Sequence, residues 1–215
     1  MKYTEAAFLY PPRPENAILR MSLPMYDKMN WVGQVKKNGT GNVIAVSPEK
    51  GVSTRLHCWT RHNAEHKLWT PTAASTEAFR SLPGKGWYVF VAELLHTKVS
   101  GIKDVNYIND ILVADGEHLV GMTFKARQDI IYSLFNLSKA KEAYSHYVVN
   151  PNTWVAKNFQ GLGTNFRDIF DGLDQPEDEG LVIKNPNAGL ALGSKASSNS
   201  SWMVKIRRPT KNYGF

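Results

Sequence analysis

Residues 31–46 read WVGQVKKNGTGNVIAV. Apolar and polar positions alternate through Trp31–Lys37, and an apolar β-branched run resumes within Asn42–Val46. Alternation of period two marks a half-buried strand, and an Asn-Gly dipeptide between two such runs is a hairpin signal. The stretch therefore predicts two paired strands turning at Asn38-Gly39. Outward from it, strands are predicted at Thr54–Thr60, Gly86–Leu95, Val105–Val113 (closed by an Asp115-Gly116 turn), Gly180–Lys184 and Trp202–Arg207. Helical spacing is rarer. It covers Ser75–Ser81, Thr123–Leu137 with Thr123 as cap, an extension over Ser138–Tyr147, and Gly161–Leu173. Many strands and few helices predict an α+β fold of mostly antiparallel sheets flanked by helices. The N-terminus to about Pro24 and the segment Asn185–Ser201 read as the least ordered stretches. No linker or repeat is visible, so residues 1–215 are expected to form a single domain.

The composition is that of an ordinary folded chain, 42% hydrophobic and 21% charged. It excludes a disordered or collagen-like protein. No run of eighteen apolar residues spans a membrane, and the start lacks the long apolar stretch of a secretion signal. Cys58 is the only cysteine, which excludes an internal disulfide and a cysteine zinc site and suits a reducing, cytoplasmic setting. His57, His62 and His66 have no convincing metal-ligand spacing. The net charge of +7 is uneven: residues 1–100 carry +6, residues 101–200 carry −3 and the last fifteen carry +4. Such an excess suits a polyanionic partner, nucleic acid being the usual one.

Several charged residues sit where strands should be apolar. Lys36 ends a buried strand beside a tight turn. A lysine held inside a pocket there can be presented as the neutral amine, a nucleophile able to attack phosphorus. Gly39 would let the turn pass close to a nucleotide. Glu93 interrupts the apolar run VFVAELL and needs a partner such as a sugar hydroxyl or a lysine. Glu179 opens the strand that Lys184 closes, and strict alternation would put Glu179 and Ile183 on one face. Lys205 and Arg207 leave the same face of their strand, and an anion between them would relieve their repulsion. Arg61 adds a guanidinium near the first strands. Arg127, on the predicted helix, reads as structural, bridging to Asp110 or to a backbone carbonyl.

Taken in order, KKNG at 36–39, VFVAEL at 89–94, EGLVIK at 179–184 and WMVKIR at 202–207 resemble the motifs of covalent nucleotidyltransferases, the polynucleotide ligases and their capping relatives. The stretch NDILVADGEHLVGMTFKARQDIIYSLF at 109–135 resembles the segment after the glutamate motif in ATP-dependent DNA ligases. YPPRPEN at 10–16 and WTRHNAEHKLW at 59–69 resemble small phage-type DNA ligases. The likeness runs from about Pro12 to Pro209. It implies an adenylation domain without the C-terminal OB barrel, since too few residues follow the Lys205 strand to build one. It also implies a catalytic set of Lys36, the residue that becomes adenylylated, with Lys205 and Glu179. Gln34, Val35, Lys36, Gly39, Arg61, Glu93, Lys184, Lys205 and Arg207 would hold the nucleotide. Glu93 would bind the ribose, and Gln34 would accept a hydrogen bond from the adenine amine. Glu179 and Glu93 would place Mg²⁺ or Mn²⁺. ATP is the implied AMP donor, and a monomer the implied state. The partner would be nicked duplex DNA, with RNA or a hybrid as the alternative and no membrane. A phage-encoded enzyme would work in the host cytoplasm.

Two positions depart from that pattern. Gly41 stands where DNA ligases usually carry arginine, with Arg55 or Lys37 as candidate replacements. Asn109 stands where the adenine-stacking aromatic usually sits, with Tyr107 as the candidate on the same strand. With the missing last basic motif, these departures favour a catalytically inactive nucleic-acid-binding module as a rival, while the asparagine of the lysine motif and the absent barrel favour an RNA ligase.

Overall fold

The structure is a computed structural model describing residues 2–48, 55–161, 163–194 and 198–209. In chain order its strands are β1 (Arg13–Ala17), β2 (Val32–Lys37), β3 (Thr40–Ser47), β4 (Arg55–Thr60), β5 (Tyr88–Leu95) and β6 (Val105–Ala114), then β7 (Glu117–His118), β8 (Lys141–Glu142), β9 (His146–Asn150), β10 (Thr153–Ala156), β11 (Asp178–Lys184) and β12 (Asn199–Arg207). The helices are α1 (Leu23–Lys28), α2 (Ala73–Arg80), α3 (Phe124–Leu134) and α4 (Phe166–Asp171). Two sheets result. The smaller runs β1-β12-β11-β2; the larger runs β4-β3-β5-β6-β10-β9-β8, with β7 beside β6. All pairings are antiparallel except β1 with β12 and β10 with β6.

The first strands do not pair as the sequence predicts. β2 bonds to β11 in the small sheet, and β3 bonds to β4 and β5 in the large one. Asn38-Gly39 is a corner between sheets. Neither residue has the positive φ that a tight hairpin turn of this composition requires. Gly39 is needed for close approach instead. A Cβ there would lie 2.5 Å from the Leu94 carbonyl oxygen and 2.6 Å from Glu93 Cγ. The corner is anchored by the Asn38 N–H, which donates to the Glu177 carbonyl at 2.7 Å, and by Lys98, which donates to the Gly39 carbonyl.

Three other expectations are corrected. Residues 138–147 do not continue the helix. Asn136 adopts φ 48°, which ends α3, and buried Leu137 turns the chain back toward the large core and into β8 and β9. The N-terminal segment is not loose: β1 aligns parallel with β12, and α1 packs its buried Leu23 and Tyr26 into a core. The loop after β11 is tethered. The carbonyls of Pro186 and Ala188 accept from the N–H groups of Lys125 and Phe124 at the start of α3, and Leu190 is buried. The end of that predicted loop is strand instead, since β12 begins at Asn199, and residues 195–197 lie outside the described residues. Thr123 does cap α3, its hydroxyl accepting from the Ala126 N–H at 3.2 Å.

Each sheet has its own apolar mass. The large one gathers Val43–Val46, Val89, Phe90, Ile108, Ile111–Val113 and Ile131 with the helices α2 and α3. The small one packs Val35, Leu181, Ile183, Val204 and Ile206 against Phe166 and Phe170 of α4. The face of the small sheet opposite that core turns toward the large sheet, and the cleft between them is polar.

Candidate active site

A cavity of about 780 Å³ lies in this cleft, within the size range of small-molecule sites. Gln34, Val35, Lys36, Gly39, Arg61, Glu93, Glu179, Lys184, Lys205 and Arg207, the whole candidate set read from the sequence, line it. The pattern along β2, β11 and β12 explains how. Gln34 and Lys36, Val182 and Lys184, Lys205 and Arg207 are spaced by two and share the cleft face, while Leu181, Ile183, Val204 and Ile206 share the other.

Glu179 breaks that parity. Alternation assigns it the face of Ile183, yet it lines the cleft and Ile183 lies in the core behind. The reason is a β-bulge. Gly180 stands opposite Lys36, but the next aligned pair is Asp178 with Lys37, so Glu179 is an extra residue. A bulged residue keeps its side chain on the same side as its neighbour. Gly180 has φ 150°, and any Cβ there would run into the Ile206 carbonyl oxygen.

The bulge delivers a carboxylate to the lysine. Lys36 Nζ donates to Glu179 Oε2 at 2.5 Å, and Arg207 Nε donates to Glu179 Oε1 at 2.5 Å. Both partners of the first pair are largely shielded, with side chains 19% and 11% exposed, so solvent weakens this contact less than one on the surface. Lys205 has no acid partner among the described residues. Burial and then the charges of Arg207, Lys36, Arg13 and Arg61 push its ammonium below the usual lysine value. A cluster of cations under that mutual repulsion is a ready anion site.

Glu93 faces the same space from β5. Burial raises its carboxyl above the usual range, opposed by the charges of Lys36 and Lys98 and by the Gly39 N–H, which donates to it. The charge of Glu179 also raises it, and both carboxylates line the cavity. Among the described residues no three His, Cys, Asp or Glu side chains cluster as a metal cage. Two carboxylates facing a phosphate site are, however, the donor set on which Mg²⁺ is usually held, the rest of its shell being water and phosphate oxygen.

At the closed end of the cleft, Lys184 is buried; burial pushes its ammonium down to about 8. It donates to Gln34 Oε1 at 2.7 Å and the Asn109 carbonyl at 3.4 Å, and its Nζ lies 4.4 Å from the Phe124 ring centroid. The Gln34 amide in turn donates to Gln128 Oε1 and Asn158 Oδ1. The oxygen expected to meet a base amine thus already accepts from Lys184.

Neither expected stand-in for the missing arginine fits. Arg55 is at the far end of β4, opposite Ser47. Lys37 is fully buried against Asp178 and Glu177. Arg61 instead covers Gly41, where a Cβ would lie 3.4 Å from Arg61 Cβ. Tyr107 is buried with its hydroxyl on the Val35 carbonyl at 3.0 Å, and Lys37 lies over its ring at 5.7 Å. Arg127 does bridge Asp110, through two hydrogen bonds of 2.9 Å, and also the Met122 carbonyl. Among the cleft residues that the sequence reading missed are Arg13 and Lys98. Arg13 reaches the rim because β1 docks parallel to β12, and Lys98 arrives from the turn after β5. Neither lies in an alternating run, so no local pattern marks them.

Two sheets meet at a cleft that carries a strand-end lysine, a bulged glutamate and a C-terminal cation pair. Comparison with solved structures shows that the fold is that of DNA ligase domains. A mycobacterial DNA ligase D complexed with ATP and MES matches 93% of this chain and 60% of its own, with TM-score 0.60 and 15% identity. The ligase domain of LigD from M. tuberculosis matches 93% and 59%, with TM-score 0.58 and 15% identity. A structure named Pmar-Lig_Pre. matches 93% and 46%, with TM-score 0.61 and 13% identity. The chain thus spans about half to three-fifths of the structures it matches. No family model matches the sequence, and no curated protein does. Among the described residues no helix is long and apolar enough to cross a membrane.

Proposed function

We propose that this chain is an ATP-dependent polynucleotide ligase acting on 5′-phosphate/3′-hydroxyl nicks in duplex DNA. The observation that carries the reading is Lys36 at 2.5 Å from Glu179, in a cleft that also holds Lys205, Arg207, Arg61 and Glu93. Before it attacks, the Lys36 ammonium gives up a proton, and the Glu179 carboxylate is within hydrogen-bond distance to take it. The amine then attacks the α-phosphorus of ATP. An N–P bond forms and the P–O bond to pyrophosphate breaks. Lys205 and Arg207 neutralise charge gathering on the phosphate oxygens, so the protein works chiefly by placement and electrostatics. Glu179 and Glu93 would hold Mg²⁺, which would add further neutralisation there. In the second step a 5′-phosphate oxygen displaces the lysine, and in the third the 3′-hydroxyl displaces AMP and seals the strand. All three steps pass through one phosphate site, which accounts for the crowd of cations. Binding to the duplex should weaken steeply with salt.

Incubation with ATP and Mg²⁺, followed by intact-mass measurement, tests this. A gain of one AMP that disappears in Lys36→Ala is the expected outcome. No gain, or a gain that survives the substitution, overturns it. Parallel incubations with NAD and GTP identify the donor, and sealing assays on nicked DNA, RNA and hybrid duplexes identify the strand.

A further inference from the structure

Consecutive lysines on β2 meet consecutive acids on β11. Lys36 faces the cleft and takes Glu179. Lys37 points the other way, fully buried, and donates to Asp178 Oδ1 at 2.6 Å and Glu177 Oε1 at 3.3 Å, beside the rings of Tyr107 and Trp154. From Gly180 to Lys184 the ladder is regular, with Gly180 opposite Lys36. Continued without interruption, it would set Glu179 opposite Lys37, behind the sheet, and turn Asp178 toward the cleft. The bulge prevents this by making Asp178 the partner of Lys37. Two sequence-adjacent acids therefore compete for two sequence-adjacent lysines, and a slip of one residue exchanges them.

We propose that Lys37 is a positioning residue for this site: by binding Asp178 and Glu177 behind the sheet it locks the register in which Glu179 enters the cleft. The inference rests on the ligase reading for its consequence and on the pairing geometry for its substance. Lys37 does not touch the reacting atoms. Two backbone bonds bracket the device. The Asn38 N–H donates to the Glu177 carbonyl at 2.7 Å, and the Arg208 N–H to the Glu179 carbonyl at 2.8 Å. The first continues the shifted Asp178–Lys37 pairing and so depends on the bulge, whereas the second continues the regular β11–β12 ladder.

The test compares Lys37→Met and the triple variant Lys37→Met, Asp178→Asn, Glu177→Gln with the unaltered chain. The single change strands two buried acids, whereas the triple change leaves a neutral set of similar size, which proteins often tolerate without loss of stability. Two readouts are taken. One is amide hydrogen exchange at Asn38 without nucleotide, with Arg208 as the reference. The other is the Mg²⁺ concentration for half-maximal AMP transfer to Lys36, followed by mass. The triple variant is expected to melt near the temperature of the unaltered chain. It should still exchange the Asn38 amide faster and need roughly tenfold to a hundredfold more Mg²⁺, the usual effect of losing a group that orients a metal ligand. If exchange and Mg²⁺ dependence recover together with stability, or never change in the single variant, Lys37 and its acids are only a structural ion pair and the proposal falls. If the unaltered chain forms no AMP adduct, the ligase reading fails, and the amide exchange alone decides whether Lys37 locks the register.

Discussion

Two Asx-Gly dipeptides in this chain look alike and behave oppositely. Asp115-Gly116 has φ values of 46° and 80° and joins β6 to β7 as a two-residue hairpin, Ala114 opposite Glu117. Asn38-Gly39 has no positive φ and sends the chain from one sheet to the other. At the first, glycine relieves a conformational cost; at the second, it makes room for the Leu94 carbonyl and Glu93. The surroundings differ in kind. The β6–β7 turn sits beside the apolar core of its sheet, with Val113 and Leu119 buried on either side of it. The corner opens onto a seam in which Gln34, Lys184, Gln128 and Asn158 bond to one another across the two sheets. A turn that stays within a sheet supports packing, whereas a corner that leaves it makes a cleft and therefore room for chemistry.

Substitution can break the comparison. Gly39→Ala should have the largest effect, because the intruding methyl meets backbone: about 3 kcal/mol of stability lost, by urea unfolding, together with loss of AMP transfer to Lys36. Preserved stability and transfer would show that the corner has slack. Next comes the seam. The Lys184 ammonium is pushed down to about 8, below the usual 10.5, so between those values the unfolded chain holds a proton that the folded chain has released. Stability attributable to this residue therefore rises with pH over that window. Relative to Lys184→Met, the unaltered chain should gain about 2 kcal/mol between pH 8 and 10. A flat difference in paired unfolding curves would place the charge in water. Smallest is Gly116→Ala, where the added methyl meets only ordinary contacts, the Tyr3 carbonyl oxygen at 3.5 Å and Gly86 Cα at 3.9 Å, and only φ is unfavourable. About 1 kcal/mol should be lost there, with AMP transfer unchanged.

Much of the candidate site was legible because it is carried by strands. Period-two spacing alone puts Lys205 with Arg207 and Gln34 with Lys36, and an acid within VFVAELL has few other reasons to be there. Glu179 was found by motif but misplaced by parity, since a bulge adds a residue without leaving a local signature beyond a glycine. Lys37 read as a stand-in phosphate contact, because nothing in KKNG tells which lysine will be covered. Arg127 was read correctly because a lone arginine among Phe124, Ile130 and Ile131 on a helix demands a partner, and Asp110 lay within the neighbouring strand.

By itself the sequence determined the strands β2 to β6, β11 and β12, the helices α2 to α4, and which of their faces are apolar, but not β1, α1 or β8 to β10. Those depend on local periodicity, turn chemistry and the cost of burying charge, all written in neighbouring residues. Only the tertiary structure decided that β2 and β3 part company, that Glu179 turns toward Lys36, and that Arg13 reaches the cleft. These are choices of partner between segments far apart in the chain. They are settled by which pairing buries the most apolar surface while leaving buried polar groups hydrogen-bonded, a sum over the whole molecule that no window of residues contains.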